Sequence, residues 1–596
     1  MKNNKEKVKT IKEVVEDWSE KTPNKIIFDS PVGESFTFKQ LHRLMESLSE
    51  NVGENVLKNS RIAVIMPVGV VCTLLCVSLT SEYVVLPLNI DCSVNEFDDY
   101  FKRFHIDAIF IDSNIRSEIV DLAVRNEIVV LKYEKVLKNH LEFYVVNSTK
   151  RNVSREYQII NENTTFILPT SGTTAKPKIV LLKKSNVFYS AISICKHLKL
   201  SSYDVCLNPM PLFHVHGLMV TVSSLFAGSK IVCTPKYSND HFFEWLRIFK
   251  PTWYTASAGI QENIQLKTEK LKNIAKIKLR FIRSSSAPLS PRTTKGLEKF
   301  FSAPVTESYG MTEATLQITS QPLPPFDRRL GSCGKAAGVK LAIVDEDGNF
   351  LGINKVGEIM ISGKGVIDSY ENNEKENVKS FRDGWFRTGD LGYLDEDNFL
   401  FIKGRIKEMI NKGGEKISPR EIDEVLMSHP SVELGVAFSM PHKTLREDLA
   451  AAVIVKKNHA LKESELRKYL QSRLTQFKIP SKFYFVDDIP RTGVGKPKRV
   501  GLYTVLKEND KETINDRNST DILILGIWKK LLGTEVNLSD NYFEIGGDSI
   551  RAQELISELL KNGIDIEFSD IQNYPTIKLL SEYVIKNKII KNEQNL

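Results

Sequence analysis

Residues 164–178 narrow what this chain can fold into more than any other stretch. Thr164-Thr-Phe-Ile-Leu carries the β-branched and aromatic residues of a strand. It runs straight into Pro169-Thr-Ser-Gly-Thr-Thr-Ala-Lys-Pro-Lys. Four hydroxyls, on Thr170, Ser171, Thr173 and Thr174, surround Gly172, and Lys176 and Lys178 follow. Hydroxyls, closely spaced backbone N–H groups and nearby ammonium groups suit phosphate oxygens. Gly172 permits a tight turn and a close approach of backbone to ligand. The loop is not a Walker A motif, because no glycine directly precedes either lysine. A generic cluster of this composition is more often a plain polar turn after a strand.

The surroundings read as alternating strands and helices. Phe38–Val52 has helical spacing and Gly53 as a stop. Arg61–Met66, Val84–Leu88 and Ala108–Ile111 read as strands. That alternation predicts an α/β architecture with largely parallel sheets. At about 100–200 residues per domain, 596 residues imply several domains. Net charge is +8 and spread along the chain, without the concentrated basic stripe of a nucleic-acid binder. The longest apolar run, Ile62–Leu79, is broken by Pro67 and Gly69, which predicts a strand and a buried helix and no membrane insertion. Seven scattered cysteines without a CxxC point away from a disulfide framework or zinc site. With an N-terminus lacking an apolar h-region, they fit a cytoplasmic protein.

Further strings follow in order. Met210-Pro-Leu-Phe-His-Val-His-Gly precedes an apolar helix to Ala227. Its His214 and His216 do not share a helix face, so a metal pair is disfavoured. Residues 280–290 carry a strand into Ser284-Ser-Ser-Ala-Pro-Leu-Ser, with Ser290-Pro291 set to start a helix. Glu307-Ser-Tyr-Gly-Met-Thr-Glu offers Thr312 as a phosphate donor and Glu313 as a hard oxygen for Mg²⁺. Gly384-Trp-Phe-Arg-Thr-Gly-Asp-Leu-Gly places Asp390 in a glycine-flanked turn.

This succession resembles the adenylate-forming superfamily of acyl-CoA synthetases, adenylation domains and luciferases. The phosphate loop is similar to T-S-G-T-T-G-x-P-K-G, with Ala175 and Ile179 in place of two glycines, and residues 309–313 match Y-G-x-T-E. The resemblance implies that ATP is held by Thr170, Ser171, Gly172, Thr173, Thr174 and Lys178 around the phosphates. It assigns Ser286, Ala287, Pro288 and Tyr309 to the adenine side, and Glu307, Ser308, Gly310 and Met311 to the nucleotide site as well. Asp390 would take the ribose hydroxyls and Arg405 a second nucleotide contact. Thr312, Glu313 and Lys496 would be catalytic, Glu313 as the Mg²⁺ ligand and Lys496 from Pro490-Arg-Thr-Gly-Val-Gly-Lys. His214, Val215, Gly310 and Leu316 would line the acid pocket, with His216 undecided. Lys407 would be a hinge, and Gly413 and Gly414 would border a thiol channel. Ser418-Pro-Arg-Glu reads as a capped helix start in the smaller lobe.

Residues 507–519 are polar and read as a linker. From 520 onward there are twelve acidic and eight basic residues, an acidic piece on a basic chain. Its Gly546-Gly-Asp-Ser resembles a peptidyl or acyl carrier domain, a small all-α bundle, and implies 4'-phosphopantetheine on Ser549. The expected order is a large lobe over 1–402, a small α/β lobe on a hinge over 403–506, the linker, and the carrier over 520–596. Together they imply ATP-dependent activation of a small carboxylic acid and its transfer to the carrier thiol. Partners would be a phosphopantetheinyl transferase and a downstream condensation or ketosynthase enzyme in natural-product assembly. Residues 205–239 contain no Asp or Glu to pair a substrate ammonium, so the acid should lack an α-amine. Small-acid CoA ligases, including oxalate ligases, look most similar around 211–218, 252–256 and 309–315. They carry a histidine where Leu316 stands, which favours a monocarboxylic acid. The alternatives are a free-standing acyl-CoA ligase, an amino-acid-activating domain, and a non-catalytic carrier protein.

Overall fold

In the computed structural model the chain is described over residues 7–115, 117–137, 140–147, 160–170, 177–269, 277–412, 415–442, 446–457, 459–490, 497–512, 519–532, 536–543, 545 and 549–586. It divides into two compact units, one over 1–409 with 491–497, the other over 410–490 with 498–596.

The first unit holds three sheets. A seven-stranded sheet runs His140–Asn147, Val129–Leu137, Ala108–Asp112, Arg61–Ile65, Val84–Pro87, Thr164–Thr170, Lys178–Lys183. Its inner strands are parallel, and Arg61–Ile65 is buried at every position, as a strand covered on both faces must be. A nine-stranded sheet has the parallel centre Val305–Tyr309, Phe281–Ser285, Trp253–Ser257, Val205–Asn208, Lys230–Cys233, Ile26–Asp29. A five-stranded antiparallel sheet contains Gly357–Ser362, Trp385–Leu394 and Leu400–Arg405. One core draws from all three: Val64 and Phe166, Trp253 and Ile231, Ile359 and Phe386. Helices close the outer faces. Val94–Arg103 and Ser117–Arg125 pack on the seven-stranded sheet, and Phe242–Phe249 and Pro291–Phe301 on the nine-stranded one.

Local sequence accounts for these elements. The helix Phe38–Gly53 buries Phe38, Leu41, Leu44, Met45, Leu48 and Val52 at helical spacing, and Thr37 with Gln40 closes a capping box at its start. Ile62–Leu79 resolves into a strand and the buried helix Val70–Ser78. Ser290 caps the helix Pro291–Phe301 by accepting from Thr293 N–H, with Pro291 in its first turn.

The second unit begins with a five-stranded sheet that includes Ile410–Lys412, Arg446–Val455 and Val432–His442, flanked by the helices Pro419–Met427 and Glu463–Gln471. Ser418 occupies the N-cap, but its side chain makes no capping bond to the helix. Residues 403–405 belong to the first unit, because the ladder Asp390↔Arg405 ties them to Trp385–Leu394. The helix Leu502–Glu512 runs into the stretch that reads as a linker, anchored by buried Leu502 and Leu506. The helices Ser519–Leu532, Ser549–Lys561, Phe568–Asn573 and Ile577–Lys586 share a separate core of Trp528, Tyr542, Leu555, Leu559, Leu580 and Val584. No helix among the described residues is long and apolar enough to cross a membrane.

Candidate active site

The strand Val305–Tyr309 ends where the nine-stranded sheet meets the shared core, and the chain turns sharply there. Gly310 is required by that turn. A Cβ on it would lie 1.4 Å from the carbonyl oxygen of Leu316. Leu316 is buried at φ 91°, in the left-handed region that side chains avoid. Met311 precedes a short 3₁₀ turn, Thr312–Ala314, which carries Thr312 and Glu313.

Glu313 is buried, and the Tyr370 hydroxyl donates to its Oε1 at 2.8 Å. Burial raises its carboxyl above the ordinary range. Lys178 donates to Glu376 Oε1 at 2.6 Å and to the Tyr370 hydroxyl at 3.4 Å. Its Nζ also lies 4.4 Å from the Tyr370 ring centroid. That hydrogen bond and the Lys178 charge lower the Glu376 pKa. Directly across the ladder from Lys178 stands Thr170, whose buried Oγ1 has no hydrogen-bond partner among the described residues.

A second cluster joins two sheets. Tyr309 donates to Asp390 Oδ2 at 2.5 Å, and Arg405 Nε donates to Asp390 Oδ1 at 3.1 Å. Asp390 is buried; its charge raises the Arg405 pKa and, behind burial, helps push the Tyr309 phenol well up. Glu307 Oε2 accepts from Leu289 N–H at 3.3 Å and so steadies the turn of Ser286, Ala287 and Pro288. Ser308 O accepts from the Ser285 hydroxyl.

The two histidines separate. His214 is half-buried at the N-cap of the helix Val215–Phe226, its ring edge-on to Phe213 at 4.5 Å. Val215 opens that helix and packs against the shared core. His216 is fully enclosed, with Nε2 2.6 Å from Thr255 Oγ1 and Nδ1 3.0 Å from Ser286 Oγ. Burial, then the nearby Arg283 charge, drives its pKa well down, so it is neutral. Arg283 itself is buried, and its Nε and Nη1 have no partner among the described residues. Burial pulls its pKa down to about 10. No group of three or more His, Cys, Asp or Glu capable of holding a metal occurs among the described residues. Oxygens of a bound ligand would help complete the shell of a cation at Glu313. One buried carboxylate with hard oxygens suits Mg²⁺ arriving with phosphates.

Lys407 is exposed in the 3₁₀ turn Ile406–Glu408, at the end of the first unit. Ser171, Gly172, Thr173, Thr174, Gly413, Gly414 and Lys496 lie outside the described residues, as does the Ser549 side chain. Ser549 is nevertheless the first residue of the helix Ser549–Lys561. Tyr370, Glu376 and Arg283 do not emerge from sequence reasoning. Tyr370 sits in Asp368-Ser-Tyr-Glu-Asn-Asn-Glu, which has no chemistry-bearing spacing of its own.

Comparison with known proteins adds three family matches in chain order. They are "AMP-binding enzyme" over residues 15–371, "AMP-binding enzyme C-terminal domain" over 421–496, and "Phosphopantetheine attachment site" over 523–584. The chain is 42% identical over 337 residues to an oxalate–CoA ligase of Saccharomyces cerevisiae, covering 56% of this chain and 62% of that protein. It is 41% identical to an oxalate–CoA ligase of Arabidopsis thaliana, over 56% of this chain and 66% of the relative. The match thus spans less than two thirds of these relatives' length. Among solved structures, it resembles an O-succinylbenzoate coenzyme A synthetase from Bacillus subtilis in complex with ATP and magnesium ion. That likeness is 26% identical with a TM-score of 0.70, over 82% of this chain and 99% of that one. ATP-bound MatB from Rhodopseudomonas palustris, at 24% identity, shares the fold with a TM-score of 0.73, over 85% of this chain and 100% of that one.

Proposed function

The chain belongs to the AMP-binding enzyme family, and from that premise we propose that it adenylates a carboxylic acid lacking an α-amino group and loads it onto its own carrier domain. The observation that carries this reading is the succession of both AMP-binding enzyme regions and a phosphopantetheine attachment site in one polypeptide. In the first half-reaction the substrate carboxylate attacks the α-phosphorus of ATP, the bond to the bridging oxygen breaks, and pyrophosphate leaves. Thr170, whose buried hydroxyl has no partner among the described residues, would hold the phosphates together with Ser171, Gly172, Thr173, Thr174 and Lys178. Asp390, fixed between Tyr309 and Arg405, receives the ribose hydroxyls. Glu313 would hold Mg²⁺, which when bound would stabilise charge on the phosphoryl oxygens. Lys496 adds a point charge on the reacting side.

In the second half-reaction a thiol attacks the acyl carbonyl, AMP leaves, and a thioester forms. Ser549 would carry the phosphopantetheine arm that brings this thiol. Ser549 opens a helix, where exposed N–H groups favour an attached phosphodiester. Rotation about Lys407 exchanges the two half-reactions, with Gly413 and Gly414 beside the entering thiol. An upstream phosphopantetheinyl transferase and a downstream condensation or ketosynthase enzyme complete the scheme. Two observations support an acid without an ammonium. Residues 205–239 lack any carboxylate, and Arg283 puts a buried cation beside His216. A substrate ammonium there would meet the Arg283 charge, with no carboxylate from 205–239 to offset it.

The test is ATP–pyrophosphate exchange across a panel of simple acids and amino acids, followed by intact mass of the pantetheinylated chain. Exchange with simple acids and an acyl adduct on Ser549 support the reading; exchange with amino acids alone refutes it. Similarity to CoA ligases favours a second reading, release of the acyl group to free CoA. CoA thioester formed at full rate by Ser549→Ala would support that one.

A further inference from the structure

Tyr370 is held through its own backbone and through the residue that follows it. Its N–H donates to Asn377 Oδ1 at 2.7 Å, and Asn377 Nδ2 donates back to its carbonyl at 2.9 Å. The next residue, Glu371, donates its N–H to the carbonyl of Ile179, one position beyond Lys178. Its carboxylate takes both terminal nitrogens of Arg61, at 2.9 and 2.6 Å, in a fully buried pair. Bidentate pairs of this kind fix direction as well as distance. The phenol is therefore placed by the seven-stranded sheet, through Arg61 and Ile179, and by the helix Glu374–Ser380, through Asn377.

Two groups assigned above to the triphosphate and its metal meet on this one side chain. The hydroxyl donates to Glu313 Oε1 at 2.8 Å and accepts from Lys178 Nζ at 3.4 Å. The ring face lies 4.4 Å from the same ammonium. A carboxylate and an ammonium that bind one triphosphate must keep a set separation, and neither is locked by its own rotamers; a rigid phenol between them supplies the spacing. Glu376 takes the remaining side of the ammonium at 2.6 Å. It sits in the first turn of a helix capped by Asn373, so it too is fixed.

We infer that Tyr370 is a positioning residue for the nucleotide–metal site, its hydroxyl aiming the Glu313 carboxylate at the cation and its ring seating Lys178 against the phosphates. The inference rests on the roles proposed above for Glu313 and Lys178. It belongs to the class of outer partners that orient a metal carboxylate, whose removal weakens metal binding about 10- to 100-fold.

The test titrates Mg²⁺ into the full chain with a non-hydrolysable ATP analogue and reads nucleotide binding calorimetrically. Tyr370→Phe keeps the ring and loses the hydroxyl; half-saturating Mg²⁺ should rise about tenfold while binding of metal-free nucleotide stays unchanged. Tyr370→Leu loses the ring as well and should weaken metal-free binding too. Glu313→Gln serves as the reference and should remove the Mg²⁺ response. If Glu313→Gln removes that response and Tyr370→Phe leaves it at the parent value, the positioning role is overturned while the assignment of Glu313 stands. If Glu313→Gln itself changes nothing, the assignment of Glu313 falls and this inference with it. A lower melting temperature in Tyr370→Phe with an unmoved Mg²⁺ midpoint marks a purely structural tyrosine and also overturns it.

Discussion

A methyl group at residue 310 would have to displace the carbonyl of Leu316, which is backbone and cannot swing aside. Gly310→Ala is therefore expected to destabilise the first unit by about 3 kcal/mol, at the upper end of overpacking costs. Urea denaturation checks this, and a change within about 0.5 kcal/mol would contradict it. His216 gives a prediction of opposite kind, one that depends on pH. Its folded pKa is well below the ordinary 6.5, because burial and Arg283 oppose the charged ring and its partners, Thr255 and Ser286, are neutral hydroxyls. The unfolded chain takes up a proton below about pH 6.5 and the folded chain does not. Stability from His216 is thus fully present above that pH and is lost as pH falls toward the folded pKa. Melting temperatures measured from pH 7 down to 5 should fall, and less steeply in His216→Asn. The sequence marks His216 only as a histidine near a pocket. Its burial depends on Thr255 and Ser286, 39 and 70 positions away.

Between elements, the buried pair of Arg61 and Glu371 joins a central strand of the seven-stranded sheet to the segment that carries Tyr370. Asn161 accepts from Arg61 Nε, so the guanidinium has several fixed partners. Removing one partner leaves an uncompensated buried charge. Glu371→Leu should destabilise by about 3–5 kcal/mol, and Arg61→Met with Glu371→Leu by less than either single change. A double-mutant cycle by chemical denaturation reads this directly, and additive losses would refute the coupling. Elements themselves were legible where signals are local. Ser290 and Pro291 announce a helix start within two residues. The helix Leu502–Glu512 was not, because a polar run reads as linker until Leu502 and Leu506 find a core.

At the scale of the whole chain, the proposed division of labour predicts separable defects. Lys496→Ala should lower ATP–pyrophosphate exchange about 100-fold or more, as loss of a charge at a reacting phosphoryl group does. Ser549→Ala should leave exchange intact and abolish acyl adducts on the protein by intact mass. Equal exchange in the parent and Lys496→Ala, or an adduct surviving in Ser549→Ala, would break the scheme. The sequence by itself determined the α/β class, the succession of enzyme and carrier regions, and the strings around Thr170, Tyr309, Asp390 and Ser549, because those signals lie within a few bonded neighbours. Only the tertiary structure decided that Tyr309 and Arg405 share Asp390, that Tyr370 stands between Lys178 and Glu313, and that His216 is sealed in. Those contacts span tens to hundreds of positions, and their geometry follows from how sheets pack on one core rather than from any local preference.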